Sequence, residues 1–338
     1  MKMKQKRHAI TQRTISSVIS YISYTLLLLV LTVSCSSLKT YPPTDSGQSA
    51  YQHYSRSLNY YTDERLIAAL SEIDLAIRIN PSISTFYQLK GQILAEMKKP
   101  EEALQAYAKV LEFRSYNPVV LEQMAYLQAE QGRYLQAAHT LKKVVKQAPE
   151  KNILWLKVAE YYVKLDKLDF AANATQQYRI YLGDNGTPDP EYFRVLGLIA
   201  YHRGNYKQAT ANLDKCRGSM QFSEGDYIIL LKSLFKTGQN EKAYNVLVSD
   251  GEKILKKYDV YFYRGWYYFS LGKYKDARRQ FELAIQEGSE EVLAYFYLGK
   301  CYLKLGQPEK AREMFEIFRE RSEKPELIKQ LDSELQLY

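Results

Sequence analysis

A chain of 338 residues with 46% hydrophobic and 25% charged residues has the composition of a folded globular or repeat protein, which excludes disorder over most of its length. Much of its formal charge of +9 sits in the first 13 residues, where Lys2, Lys4, Lys6, Arg7 and Arg13 meet no acid. The remainder carries about +4, too near neutral for the basic stripe that nucleic-acid binding requires, so no nucleic acid is expected as a partner.

The basic leader is followed by an apolar run that ends at Cys35 and then by Ser36 and Ser37, the order of a secretory signal. Leu31, Thr32, Val33, Ser34 and Cys35 resemble the lipobox of bacterial lipoproteins, with Thr32 where that motif usually has leucine. The resemblance implies that residues 1–34 are removed and that Cys35 is acylated on sulfur and holds the chain at a membrane. It also implies, from Ser36, an outer membrane with the protein facing the periplasm. Two alternatives stand beside it. Ser16 to Ser34 is nearly long enough to be an uncleaved signal anchor in the inner membrane, and a plain cleaved signal fits the same order. All three export the chain beyond Cys35. Residues 35–49, polar and broken by Pro42 and Pro43, read as a tether.

From residue 50 the chain repeats with a period of 34. Ala69, Ala103, Ala137 and Ala171 share that spacing, and so do Ala209, Ala243, Ala277 and Ala311, with a step of 38 between the two sets. Taking the alanine as position 20 gives eight units, beginning at Ala50, Ser84, Pro118, Asn152, Pro190, Glu224, Tyr258 and Val292. Position 8 is Gly91, Gly197, Gly265 or Gly299 in four units and Ala125 or Ala159 in two more; position 15 is Gly132, Gly204, Gly238, Gly272 or Gly306 in five. Aromatic residues recur at positions 4, 11 and 24. Each unit thus holds two amphipathic helical runs joined by a turn near position 15, with small residues at 8 and 20 letting the two helices approach. Pro100 and Pro308 are placed for a first helical turn, and Pro81 and Pro149 for the end of a second helix.

These residues resemble the tetratricopeptide repeat, from residue 50 to about 325. The resemblance implies an all-α, right-handed superhelical solenoid of about eight helix-turn-helix units with a concave inner wall. The expected organisation is a signal over 1–34, the lipidated Cys35 and tether over 35–49, four units over 50–185, an insertion at 186–189, four units over 190–325 and a capping helix over 326–338. That last helix would place Leu327, Ile328, Leu331 and Leu335 on one face. The segment around Gly183 to Pro190 reads either as an ordinary surface loop after a longer helix or as a hinge. Two units depart from the pattern: the fourth has Thr175 and Tyr178 at positions 24 and 27, and the sixth has Leu231 at position 8 and Asp250 at 27.

Catalytic chemistry is not expected. His53, His139 and His202 fall in different units, and Cys216 and Cys301 occupy places where the repeat takes a small apolar residue. No phosphate loop, GxSxG, HExxH or zinc-type cysteine spacing is present, so neither metal nor cofactor is expected.

The remaining candidate is the inner wall. The resemblance implies that positions 2, 5, 9, 12 and 13 of each first helix line it. In the last four units these give Arg194, Tyr201, His202, Lys232, Phe235, Lys236, Phe262, Trp266, Phe269, Phe296, Lys300 and Lys304, an aromatic and basic surface suited to a partner segment with acidic and apolar side chains. The same aromatics would also serve to pack neighbouring units. A carboxylate clamp for chaperone tails needs an asparagine four residues after a basic residue, and Leu198 follows Arg194 instead. Two functions follow as expectations: an envelope scaffold or adaptor that binds a protein or peptide partner, and a sensory subunit that takes a small peptide or glycan. The resemblance extends to secretin-assembly, barrel-assembly and protease-adaptor lipoproteins without choosing among them.

Overall fold

The computed structural model describes residues 45–288 and 292–322, together with positions 325, 328, 329, 331 and 332. Cys35, the apolar run before it and most of the tether lie outside the described residues, as do Leu327 and Leu335. Among the described residues there is no strand, and sixteen helices form eight consecutive hairpins. The chain divides into two compact units between Phe113 and Arg114.

The first unit holds α1 (Asp45–Thr62) with α2 (Leu66–Ile79), and α3 (Ser84–Glu96) with α4 (Pro100–Phe113). Its core runs from Ala50 through Ala69 and Ile73 to Phe86, Leu89 and Ile93. His53 Nδ1 lies 2.6 Å from a Glu72 carboxylate oxygen, which ties α1 to α2.

The second unit holds six hairpins. They are α5 (Pro118–Glu130) with α6 (Tyr134–Gln147), α7 (Leu154–Lys164) with α8 (Leu168–Leu182), α9 (Pro190–His202) with α10 (Tyr206–Cys216), α11 (Glu224–Lys236) with α12 (Asn240–Val246), α13 (Lys257–Ser270) with α14 (Tyr274–Gln286), and α15 (Leu293–Lys304) with α16 (Pro308–Arg321). Helix α12 runs on through a π-turn, Leu247–Gly251, into a single turn, Glu252–Ile254. After α16, Leu331 is buried at 1% exposure, Ile328 packs on the same core, and Asp332 pairs with Arg319.

Three local devices account for these boundaries. At position 15 of every hairpin the backbone is left-handed, with φ between 55° and 74°: Glu64, Lys98, Gly132, Asp166, Gly204, Gly238, Gly272 and Gly306. The next residue then donates its amide to a carbonyl five back, as Lys99 does to Leu94 at 2.9 Å and Lys273 to Tyr268 at 3.0 Å, the hydrogen bond that closes a helix and reverses the chain. Side-chain caps start several first helices: Asn117 accepts from Val120 N–H, Asp189 from Glu191 N–H, and Ser223 and Asp226 form a reciprocal capping box.

The close approach of paired helices is set by residue volume at positions 8 and 24. Gly91 meets Tyr107, Gly197 meets Leu213, Gly265 meets Phe281 and Gly299 meets Phe315. Where position 8 is alanine, position 24 is smaller than a ring: Ala125 goes with Leu141 and Ala159 with Thr175. In the sixth hairpin both positions are leucine, Leu231 and Leu247, both fully buried, and the π-turn begins at Leu247. Asp250, out of pattern at position 27, accepts from Arg217 at 2.7 Å.

The insertion lies inside the second unit and is tied down. Gly183 ends α8 with φ 76°, Tyr178 is buried at 2% exposure, its hydroxyl accepts the Asp189 amide at 3.0 Å, and its ring contacts Tyr192 at 5.5 Å. Tyr178 is the residue that departs from the repeat at position 27, and it serves this local contact.

Candidate functional site

The twelve wall residues expected from the sequence all lie in the second unit, and they separate into three groups.

The first group is Arg194, expected as an open-wall cation. It is instead 7% exposed on α9 and engaged by three acids from three successive first helices. Its Nε and Nη2 donate to the two Glu191 oxygens at 2.7 Å each, Nη2 reaches Glu160 of α7 at 3.1 Å, and Nη1 donates to Asp226 of α11 at 3.3 Å. Burial alone would lower the guanidinium's pKa, but hydrogen bonding to Glu191 and the surrounding carboxylates raise it, so it stays charged. Burial acts to raise the Glu160 carboxyl; Arg194 and Lys157 outweigh it and hold that carboxyl below its ordinary value. Above this network opens a cleft of about 430 Å³ lined by Tyr126, Lys157, Glu160, Asp189, Glu191 and Arg194 among others. Arg194 therefore joins hairpins and is not a free contact for a partner. Of these partners only Glu191, three residues before it, was legible in the local sequence; Glu160 comes from the preceding hairpin and Asp226 from the following one.

The second group is Tyr201 and His202, at the end of α9. His202 is exposed and Tyr201 half-buried, their rings meet edge-on at 5.6 Å, and Tyr201 also meets Tyr206 at 5.8 Å.

The third group is a continuous bank of rings across α11, α13 and α15. Phe235 stacks on Trp266 with centroids 4.9 Å apart and planes within 6°; Tyr263 is nearly parallel to both. Trp266 meets Phe262 at 5.8 Å and Tyr297 at 5.3 Å, and Phe269 meets Tyr297 at 5.3 Å. Phe235, Phe262 and Phe296, read from the sequence either as wall anchors or as packing residues, are 7%, 1% and 4% exposed: Phe235 packs on Tyr263 and Trp266 of the next hairpin, and the other two pack on the second helix of their own hairpin. Phe262 packs on Phe281, and Phe296 on Phe315 and Phe318. Trp266 and Phe269 remain half-buried at the wall. Around them stand Lys236 and Lys304, both exposed, and Lys232 and Lys300, both half-buried. The Lys300 ammonium sits 5.6 Å from the Phe269 centroid and 5.2 Å from that of Phe296. Tyr263 and Tyr297, absent from the sequence expectation, complete the bank; each stands one residue beyond position 5 of its unit, off the expected stripe.

Cys216 and Cys301 are free thiols, 2% and 0% exposed, and burial pushes both up to about 12. Among the described residues no group of His, Cys, Asp and Glu is arranged to hold a metal ion, and no helix is long and apolar enough to cross a membrane.

Family profiles described as tetratricopeptide repeat match residues 84–117, 123–181 and 263–324, so tetratricopeptide repeats are recognised in this chain. The first, fifth and sixth hairpins fall outside those matches. No curated protein matches the sequence. Among solved structures, a tetratricopeptide repeat protein from Parabacteroides merdae is 18% identical with a TM-score of 0.55, covering 76% of this chain and 99% of that one. The C-terminal part of a tetratricopeptide repeat-containing protein from Cytophaga hutchinsonii is 13% identical with a TM-score of 0.54, covering 72% and 99%. The Cut9–Hcn1 hetero-tetramer of the APC/C is 14% identical with a TM-score of 0.53, covering 85% of this chain and 57% of that one. At these identities the likeness is one of fold.

Proposed function

We propose that this protein is a non-catalytic scaffold of the cell envelope, held to a membrane through lipidated Cys35, that binds a protein partner on the first-helix wall of its last three hairpins. Tetratricopeptide folds are in general protein-interaction scaffolds, which supports the class of function. The single observation that carries the site is Trp266, half-buried on α13, backed by the stacked ring of Phe235 and set between the lysines of α11 and α15. A half-buried tryptophan held by rings of both neighbouring first helices, with cations at the margins of the cluster, is the kind of aromatic anchor found at energetic centres of protein interfaces. The lipid anchor would keep this wall near envelope partners and raise their effective concentration. The lipoprotein signal around Cys35 and the outer-membrane location rest on the sequence motif.

Two experiments test the reading. A photo-crosslinking residue replacing Lys236, which is exposed, is expected to capture one discrete partner in intact cells; replacement of the buried Phe262 would probe packing only. A Cys35→Ala variant is expected to leave the membrane fraction, and its retention after a carbonate wash would remove the lipid anchor from the proposal.

A further inference from the structure

The cleft of about 430 Å³ above Arg194 keeps a charge imbalance that the network beneath it does not remove. Its lining carries the carboxylates of Glu160, Asp189 and Glu191 against the two cations Lys157 and Arg194, and Asp226 of α11 stands behind Arg194 as a further acid. Acids thus exceed cations by two. Both Glu191 oxygens and one Asp226 oxygen are taken by Arg194, and the other Asp226 oxygen by Ser223. Glu160 Oε2 accepts from Lys157 at 2.8 Å and lies 3.1 Å from Arg194 Nη2, while Asp189 Oδ1 accepts the Glu191 amide at 2.8 Å. Among the described residues no hydrogen bond reaches Glu160 Oε1 or Asp189 Oδ2.

These atoms decide what kind of ligand fits. An anion would face the excess of carboxylates, and the N–H groups at the starts of α9 and α11 already have their side-chain caps in Asp189 and Ser223. A bare metal ion is no better suited, since among the described residues no group of acids is arranged to hold one. Ammonium groups on a flexible carbon chain need no common centre, so each can meet its own carboxylate. Tyr126, Ile153 and Leu154 line the same cleft and offer the chain an apolar wall, and a tyrosine ring itself attracts an ammonium. The volume is that of a small-molecule cleft, about 300–1,000 Å³.

We infer that this cleft binds a short aliphatic diamine, with one ammonium at Glu160, the other at Asp189, and the carbon chain along Tyr126. Its two charges balance the two excess acids. Burial would raise the Glu160 carboxyl, but Arg194 and Lys157 hold it below its ordinary value, so it is charged at neutral pH and ready to receive a cation. The lining comes from four successive hairpins, through Tyr126 of α5, Glu160 of α7, Glu191 of α9 and Gln221 just before α11, so an occupant stabilises their stacking. The site is separate from the partner wall and does not depend on it.

The test is isothermal titration of the purified full-length chain, in mild non-ionic detergent at low salt, with putrescine. Saturable binding of one diamine per chain is expected, weakening with added salt. Butylamine, with the same chain length and a single charge, is expected to bind at least tenfold more weakly. Asp189→Asn removes one charge but keeps the helix cap, since asparagine caps as well as aspartate, and is expected to lose putrescine affinity at least tenfold with its melting temperature unchanged. Tyr126→Leu, at a partly exposed ring, is expected to lose at least threefold and supplies the test should Asp189→Asn alter the fold. Glu241→Gln, at an exposed position on α12, should stay within twofold of wild type. No saturable binding, equal affinity for butylamine, or full affinity in both Asp189→Asn and Tyr126→Leu would overturn the inference.

Discussion

A Cβ placed on Gly265 would lie 2.7 Å from the ring of Phe281, sixteen residues later on the facing helix. The same relationship joins Gly91 to Tyr107, Gly197 to Leu213 and Gly299 to Phe315, at 2.5, 2.6 and 2.5 Å. The pairing fixes how closely the two helices of a hairpin can pack, because the large side chain lies directly over the missing one.

Gly265→Ala should therefore destabilise the seventh hairpin, although alanine is the better helix former. The clash forces Phe281, fully buried, from its place at a cost of about 1–3 kcal/mol, against about 0.5–1 kcal/mol gained in helix propensity. Hydrogen exchange is the sensitive measurement, since a repeat array opens locally: amides of α13 and α14 should exchange faster, with α5 and α6 unchanged. Unchanged protection in α13 and α14 would mean that the ring has room to move.

Position 15 offers the opposite sign. All eight turns are left-handed, yet Glu64, Lys98 and Asp166 carry side chains there. The left-handed conformation costs an L-residue about 1–2 kcal/mol, partly offset by the greater chain entropy that glycine loses. Lys98→Gly should stabilise the first unit by about 0.5–1 kcal/mol in denaturant melts. Asp166→Gly should gain less, because aspartate tolerates this conformation better than lysine.

The same two positions explain what the sequence disclosed. Gly132, Gly204, Gly238, Gly272 and Gly306 announced the turns, and the period of 34 then located the three turns that lack glycine. Helix pairing was legible for the same reason, since Gly265 and Phe281 each recur one repeat on. Thr175 looked like a defect at position 24, but it is the smaller residue that Ala159 at position 8 permits. The wall was less legible. A stripe at positions 5, 9 and 12 says which residues share a face of one helix and not how far the facing helix or the next hairpin covers them. Phe262 and Phe296 are covered and Trp266 is only half so. Arg194 misled because two of its neutralising partners come from α7 and α11, brought to it by stacking and not by local sequence.

The buried thiols give a chemical check on the core. With burial pushing Cys216 and Cys301 up to about 12, little thiolate forms at neutral pH, and access is blocked as well. In a Cys35→Ala chain, Ellman's reagent at pH 8 should react with neither thiol until denaturant is added, when two equivalents should appear. Prompt reaction of one equivalent in the native state would show that its hairpin opens readily, and the labelled residue would say which.

The Arg194 cluster carries the largest stability effect and a distinctive pH dependence. Removing the guanidinium leaves Glu191 and Asp226, 6% and 2% exposed, facing Glu160 with no central cation. Breaking a buried network in this way costs about 3–5 kcal/mol, and Arg194→Lys should recover only part of it, because one ammonium cannot replace the two-pronged contact to Glu191. The sign of the pH effect follows from Glu160, whose folded-state pKa lies below its ordinary value. Its contribution is present above the unfolded carboxylate range, about pH 4–4.5, and is lost as pH falls through the lower folded value. In Arg194→Ala the charge that most lowers the Glu160 carboxyl is gone while its burial remains, so Glu160 takes up a proton more readily as the pH falls. The stability gap between wild type and Arg194→Ala, measured by denaturant melts from pH 7 to pH 4, should therefore be widest at neutral pH and narrow as the pH falls. A gap that stays constant over that range would show that Arg194 acts through packing of its stem and not through its charge.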